Sequence, residues 1–471
     1  MDPAKSSPDP TRSLADAKPV PFWLDDPARP AALPALVGDE HCDLAVVGGG
    51  YSGLWTALIA KERNPSRDVV LIEGQEVGWA ASGRNGGFCA ASLTHGFWNG
   101  LDRWPDDIRE LERLGEHNLD EIEAAVKRYG IDCAYERTGE LSVATEPWQA
   151  DELRDGAGVM REHGVDAVFL DRDELRAEVD SPTYLAGLWD KTGCAMVNPA
   201  KLAWGLKAAC LKLGVRVYEH TRATDLAAHG SGMVLTTGYG RVYAGHVALG
   251  TNVFPNLVKR LRPYIVPVYD YALMTEPLSA EQLAAIGWRN RQGIGDSANH
   301  FHYYRLSEDN RILWGGYDAV YGFNQKVSAE HDQRPATFAK LAGHFFATFP
   351  QLEGLRFTHS WGGAIDTCSR FSAFFGTAHK GRVAYAMGYT GLGVGATRFG
   401  AEVMLDKLDG RSTERTGLKM VGSKPIPFPP EPVRWVGIEL TQRALTRADA
   451  NGGKRNLWLK ALDKAGMGFD S

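Results

Sequence analysis

The sequence predicts an α/β, Rossmann-type dinucleotide-binding domain, interrupted twice by segments that build an α+β domain of mixed antiparallel sheet plus helices. Three observations carry this. Cys42 to Gly53 reads C-D-L-A-V-V-G-G-G-Y-S-G, a short β-branched run that opens directly into G-x-G-x-x-G. The strand-and-helix pattern of that unit resumes at 193–250 and again at 358–408. Between these stretches lie charged helical periods and alternating, tyrosine-rich runs that do not belong to a parallel sheet.

The first unit carries the clearest chemistry. Asp43 to Val47 is a strand, Leu54 to Lys61 an apolar helix, and Asp68 to Ile72 a second strand ending at Glu73. Gly48 permits the tight turn, Gly50 removes a side chain where a pyrophosphate approaches, and Gly53 lets helix and strand pack closely. Tyr51 and Ser52 open the helix, whose free N–H groups and dipole favour phosphate. Glu73 stands where it accepts hydrogen bonds from ribose hydroxyls. Its charge repels a 2′-phosphate, so FAD or NAD fits better than NADP.

Residues 1–40 are Pro- and Ala-rich and read as an arm packed on the surface near Phe22, Trp23 and Leu24. After Glu73, Gly78 to Phe88 reads G-W-A-A-S-G-R-N-G-G-F, too rich in glycine for regular helix or strand. It offers backbone N–H groups, Ser82, Asn85 and the cation Arg84 to a ligand. Residues 103–129 form a charged amphipathic helix ending at Gly130, Tyr135 to Thr145 reads as strands, and Trp148 to His163 as another helix.

Asn198-Pro199 is an N-cap with proline at the first helical position, and that helix stops at Gly214. Val215 to Tyr218, Met233 to Thr237 and His246 to Gly250 are strands, the last leading into Thr251 and Asn252. Val266 to Met274 alternates and carries Tyr269 and Tyr271. His300 to Arg305 and Arg311 to Tyr317 form a hairpin around Glu308-Asp309-Asn310. His300 and His302, two apart, face one side, but no third ligand lies near in sequence, so no metal is assigned. Thr337 to Phe349 is a helix.

Val383 to Met387 is a strand, and Gly388-Tyr-Thr-Gly-Leu-Gly-Val-Gly395 meets a helix from Ala396 to Leu408. Thr390, Gly391, Leu392 and Gly393 thus sit at a second glycine-rich helix start, which favours negative charge. Pro425 to Pro432 is extended. Trp435 to Arg447 and Lys454 to Ala465 are amphipathic helices expected to pack on the body. The resulting division is an arm at 1–37, a nucleotide domain at 38–100, 190–260 and 358–412, a substrate domain at 101–189 and 261–357, and a helical tail at 413–471.

Composition excludes several classes. The chain has 471 residues, enough for two or three domains, with 44% hydrophobic and 23% charged content. A net charge of −6 gives no reason to expect nucleic acid or an anionic membrane as partner. The six cysteines are scattered without a C-x-x-C, as in reduced cytoplasmic proteins. Residues 1–20 lack a signal-peptide core, and the apolar run at 42–60 suits a βα turn better than a membrane span. Oligomeric state leaves no mark in the sequence.

Three blocks together carry a resemblance: V-V-G-G-G-Y-S-G-L with Glu73, the A-A-S-G-R-N-G-G loop, and G-Y-T-G-L-G-V-G before the last helix. In this order they resemble the D-amino-acid-oxidase (DAO) superfamily of FAD-dependent amine and amino-acid oxidoreductases. R-N-G-G and the W-G-G-A-I-D-T run at 361–367 resemble most its γ-glutamylputrescine-oxidase-type branch. The resemblance spans roughly 38–410. It implies a three-layer ββα FAD-binding domain in three pieces and a substrate domain made of the insertions.

By the match, Gly48, Gly50, Tyr51, Ser52, Gly53 and Glu73 hold the ADP part. Ser82, Arg84, Asn85, Gly86 and Gly87 line the pyrophosphate and ring, and Ala223 holds adenine through its backbone. Gly250, Thr251 and Trp361 are further contacts, and Gly388, Thr390, Gly391, Leu392 and Gly393 meet the pyrimidine edge of the flavin. The branch that binds flavin covalently has a cysteine where this chain has Trp361-Gly362-Gly363, so the FAD is expected to be non-covalent. That branch also keeps a lysine for oxygen activation, which the strand from Arg311 to Gly316 lacks.

The implied reaction oxidises a C–N bond of an amine or amino acid by hydride transfer to flavin N5, giving an imine that hydrolyses. O2 is the favoured acceptor. A dehydrogenase using a quinone or protein acceptor, and a flavin-bearing subunit of a larger complex, are the alternatives. Trp361, Tyr303, Arg305 and Tyr271 are the candidates for substrate contact, Arg305 as a stand-in for the carboxylate clamp of amino-acid oxidases. Tyr269, Tyr304 and Trp314 complete a proposed aromatic pocket.

Overall fold

A computed structural model describes residues 10–325 and 327–467. The first nine residues of the arm and the last four of the tail lie outside the described residues.

The Glu40–Val47 strand lies at the centre of a parallel sheet. It pairs with Val69–Ile72 on one side and Arg241–Leu249 on the other; the sheet ends at Arg216–Tyr218 on the first side and continues on the second through Val383–Met387 to an antiparallel edge strand, Phe374–Ala378. Fully buried Val69 to Ile72 explain why that strand reads as a continuous apolar run rather than an alternating one. The helices Tyr51–Arg63, Pro199–Lys212 and Gly393–Leu408 cover one face. On the other face Leu226, Met233 and Leu235, from an antiparallel ribbon, pack onto Ala45, Val47 and Val70. These are the expected three ββα layers.

The second sheet is mixed. Val266–Thr275 pairs antiparallel with Ile312–Gly316 and with Phe357–Thr367, and only Gly293–Asp296 and Glu140–Ala144 run parallel. Its outer face is closed by the helix Pro335–Thr348, which buries Phe338, Leu341 and Phe345 against Trp314. The other face looks toward the nucleotide domain.

Two segments pack elsewhere than their sequence assignment. The amphipathic helix Ile108–Tyr129, ended by Gly130 in the left-handed region (φ 62°), was assigned to the substrate domain. It buries Leu111, Leu114, Ile122 and Val126 in the nucleotide-domain core, and Asn118 donates to the Gly395 carbonyl (3.0 Å). Its charge pattern revealed an apolar stripe but not which domain that stripe meets. Residues 358–367, assigned to the nucleotide domain, belong to the strand Phe357–Thr367, which pairs along Val266–Thr275 in the second sheet. The loop at 78–88 is also more regular than expected, with a short helix at Ala81–Arg84 and a strand at Phe88–Ala90.

Among the described residues, no helix is long and apolar enough to cross a membrane.

Candidate active site

The turn after Glu40–Val47 is built by contacts that admit only glycine. Gly48 has φ +110°, and a Cβ there would stand 2.4 Å from the Gly250 carbonyl oxygen. A Cβ on Gly53 would stand 1.9 Å from the Gly48 oxygen. Gly53 therefore shapes the turn from behind and does not face ligand, whereas Gly48 and Gly50 line the cavity. Ser82 accepts a hydrogen bond from the Tyr51 N–H (3.0 Å), and the Tyr51 hydroxyl is anchored on the Pro199 carbonyl (2.7 Å).

Glu73 stands at the end of its strand as expected. Its carboxylate accepts from the N–H groups of Gly49 (2.5 Å) and Gln75 (2.8 Å) and from the Trp79 indole (3.1 Å). Burial pushes its pKa up, opposed by these donors. A carboxylate offers about four acceptor positions, so capacity remains for a ribose hydroxyl.

A continuous cavity of about 1110 Å³ runs from Glu73 and Ala223, past the glycine turn, to the face of the second sheet. Its size exceeds that of a pocket for one drug-sized ligand. It suits a dinucleotide and a second molecule end to end. Thr251 lines it with a buried hydroxyl that has no protein partner, an acceptor and donor waiting for a ligand. Ser52, Ser82, Arg84, Asn85, Gly86, Gly250 and the run Thr390 to Gly393 also line it. The residues present thus fit FAD.

Some predicted contacts hold the frame, Gly87 and Gly388 instead of lining the cavity, Arg84 and Asn85 in addition to lining it. Gly87 (φ +79°) and Gly388 (φ +78°) lie behind the wall, against the Val197 carbonyl and Cys368. Arg84 is turned to the second sheet, pairing with Asp332 (2.5 Å) and donating to the Gly362 carbonyl (3.2 Å). Asn85 closes its own loop, donating to the Ala81 carbonyl (2.9 Å) and accepting from Gly87 N–H (2.8 Å). Cys368 is buried, its thiol directed at the Ser372 and Gly388 carbonyls.

The four substrate candidates divide. Tyr303 lines the cavity beside Gly86 and Phe88. Tyr271 and Trp361 reach the wall, but the Tyr271 hydroxyl donates to the His331 carbonyl (2.9 Å) and the Trp361 indole to the Arg84 carbonyl (2.8 Å). Arg305 is not a carboxylate clamp. It is 1% exposed, lies outside the cavity, donates to the Val197 carbonyl (2.6 Å), and stacks over Trp23. Burial lowers its pKa to about 10. Strand alternation also turns Tyr269, Tyr304 and Trp314 into core. Tyr304 bonds Tyr184 (2.6 Å), and Trp314 packs on Phe345.

His300 and His302 do not act together. The His302 ring bonds Asp296 (2.6 Å) and His344 (2.9 Å), while His300 meets the Tyr317 carbonyl (2.9 Å).

Sequence reasoning missed two carboxylates. Asp270, half-buried on Val266–Thr275 and opposite Gly363, lines the cavity. It accepts from the Tyr303 hydroxyl (2.6 Å) and the Tyr271 N–H (2.8 Å). Desolvation lifts its pKa to about 6, against the lowering effect of those donors. The signal was a lone acid in an otherwise uncharged strand. Asp366 accepts from Gly388 N–H (2.6 Å) and ties down the last glycine loop, and burial lifts its pKa to about 7. The tail was also missed: expected to pack only, it lines the cavity through Ile426, Val433 and Trp458 among others.

The fold and site define an oxidoreductase that holds a dinucleotide across a Rossmann turn, with a second ligand against a β-sheet floor. Residues 43–407 match the FAD dependent oxidoreductase (DAO) family, and the chain belongs to that family. It is 34% identical over 386 residues to gamma-glutamylputrescine oxidoreductase of Escherichia coli, covering 78% of this chain and 84% of the relative. It is 27% identical over 414 residues to the probable oxidoreductase OrdL of Haemophilus influenzae, covering 85% and 91%. The fold matches glycine oxidase from Geobacillus kaustophilus with a TM-score of 0.65 at 20% identity, covering 80% of this chain and 96% of that one.

Proposed function

We propose that this enzyme oxidises the C–N bond of an amine, using non-covalently bound FAD and passing the electrons to O2. The observation that carries the reading is Asp270, a carboxylate on the sheet floor of the cavity with Tyr303 bonded to it. A cationic amine entering the cavity meets a negative charge there. Among the described residues, the strands of that floor, from Val266 to Ala272, Tyr303 and Trp361 to Thr367, carry no arginine, and Arg84 beside them is already paired with Asp332 (2.5 Å). This favours amines over α-amino acids, whose carboxylate needs a cation. The relatives support a C–N substrate, since putrescine derivatives and glycine both carry that bond.

Bound FAD supplies a two-electron acceptor for the hydrogen on the carbon beside nitrogen. The protein's share is position and proton. Asp270 Oδ2 orients the ammonium and takes one N–H proton, leaving a neutral amine whose lone pair assists C–H cleavage. The apolar surroundings of Val266, Val268 and Phe88 lower the amine's own pKa and bring the two groups closer in basicity. Trp361, by holding the Arg84 carbonyl, fixes the loop that faces this floor. The imine product hydrolyses to a carbonyl compound and ammonia or a smaller amine. Cys368 points away from the cavity, which supports a non-covalent cofactor.

Anaerobic mixing of the flavin-loaded enzyme with matched pairs, such as butylamine and its α-carboxylated analogue, tests the reading. The amine bleaches the flavin faster. Faster bleaching by the amino acid would overturn the preference. Hydrogen peroxide formed in step with turnover supports O2 as acceptor, and a flavin that stays reduced in air points to a quinone or protein carrier. Turnover by the purified chain alone argues against a subunit that merely relays electrons.

A further inference from the structure

We infer that the C-terminal segment from Pro425 to Met467 is a substrate-binding element, forming the outer wall of the cavity and recognising an apolar chain that the amine carries beyond its reacting carbon. The inference rests on the amine reading above.

Ile426, Phe428, Val433, Ile438, Leu445 and Trp458 line the same cavity as Asp270. The segment is fastened to the cavity rim. Asp449 accepts from the Asn299 backbone (2.9 Å) and side-chain (2.6 Å) amides, and Thr446 Oγ1 lies 3.1 Å from His300 Nε2. Glu431 accepts from the Tyr321 hydroxyl (2.5 Å). Asn299, His300 and Tyr317 are themselves cavity residues.

The chemistry of this wall is mainly apolar, with Arg434 as its one cation without an ion pair among the described residues. Its polar groups are bonded within the protein: Arg434 to the Pro429 carbonyl (2.9 Å), Thr441 to the Gly437 carbonyl (2.8 Å) and the Trp458 indole (3.0 Å), and Arg455 to Asp463 (2.7 Å). Apart from the outer N–H groups of Arg434, what remains for a ligand is hydrocarbon and indole. Ile426, Val433 and Trp458 are 44%, 60% and 39% exposed, apolar surface that an apolar ligand would cover. An anion within and an apolar wall without together fit an amine bearing a hydrocarbon chain. Gly437 lines the cavity, and a Cβ there meets nothing within 4 Å, so the helix leaves room at that point.

The test uses flavin-loaded, full-length enzyme and straight-chain primary amines of increasing length, without oxygen. Binding is read as movement of the flavin bands on mixing, and oxidation as their bleaching. Affinity should tighten about fourfold per methylene once the chain reaches the wall. Gly437→Leu fills the free space and favours the helix, and it should abolish that gain for long amines. Ile438→Ala, which shortens the wall, should lower the gain without filling it. An affinity indifferent to length, or equal length dependence in all three proteins, would overturn the inference. Bands that move with the expected length dependence but never bleach would overturn the oxidation reading and leave the wall standing. Bands that move with no amine would overturn both.

Discussion

Tyr303 donates its hydroxyl to Asp270 Oδ2 across 2.6 Å, joining two strands of the second sheet on the floor of the cavity. Desolvation lifts the Asp270 pKa from 3.8 to about 6, and the Tyr303 bond, by steadying the charged carboxylate, holds that rise back. Amine recognition by Asp270 requires the ionised form. The rate kcat/KM should therefore rise through about pH 6. Asp270→Asn should lose that limb and about 10²- to 10³-fold in kcat/KM. A variant with native rates would remove Asp270 from the chemistry.

Stability should move the other way. Folding raises the Asp270 pKa, so the folded chain holds the proton more tightly than the unfolded one. Its stability contribution is present at low pH and is lost as pH rises from 3.8 toward about 6. Asp270→Asn removes that loss. At pH 7 its Tm should equal or exceed the native value while its activity falls. A lower Tm at pH 7 would mean that the carboxylate is structural.

Tyr303→Phe removes a donor that favours the charged carboxylate. A hydrogen bond to a charged group is worth about 1.5–3 kcal/mol, and 1.36 kcal/mol corresponds to one pKa unit. The rising limb should move to higher pH by about one unit or more. A limb that stays in place would show that Tyr303 does not tune Asp270.

The nucleotide domain was largely legible because local rules decide it. Gly48, Gly50, Gly53 and Glu73 have fixed spacing, and the clashes a Cβ would make enforce the glycines. The Asn198 cap formed as expected, accepting from the Lys201 N–H (3.1 Å). The substrate half was not legible in the same way. Which face of an alternating strand meets the cavity depends on what packs behind it. Trp314 and Tyr304 went to the Phe345 side, and their neighbour Tyr303 to the cavity. Arg305 reads in sequence as a ligand cation, yet carbonyls of Val197 and Gly87, distant in sequence, receive it. The place of the tail along the cavity follows from contacts such as Asp449 with Asn299, 150 residues apart, which no local pattern encodes.

Gly53→Ala tests the turn itself. Its new Cβ would sit 1.9 Å from the Gly48 oxygen, so the turn must open. The purified variant should carry far less flavin than the native protein, read from visible absorbance per chain. Full flavin content would contradict the geometry. In native protein, acid precipitation should leave all flavin in the supernatant.

Lys207 and Glu219 form a buried pair at 2.6 Å, with side chains 6% and 1% exposed. Glu219 also accepts from Val77 N–H (2.6 Å) and from the Leu33 N–H of the arm. Lys207→Met would strand the carboxylate in the core. Unfolding free energy at pH 7 should fall by about 3–5 kcal/mol, as for other broken buried pairs. Denaturant titration measures it, and a loss near zero would contradict this account.

The central claim is that this cavity brings an amine against bound FAD. The most direct measurement is the visible spectrum of the anaerobic, flavin-loaded chain as amines and amino acids are added. The account predicts that amines bleach the flavin bands, that Asp270→Asn slows the bleaching, and that air restores the colour. Flavin that remains oxidised with every amine and amino acid tried would contradict it.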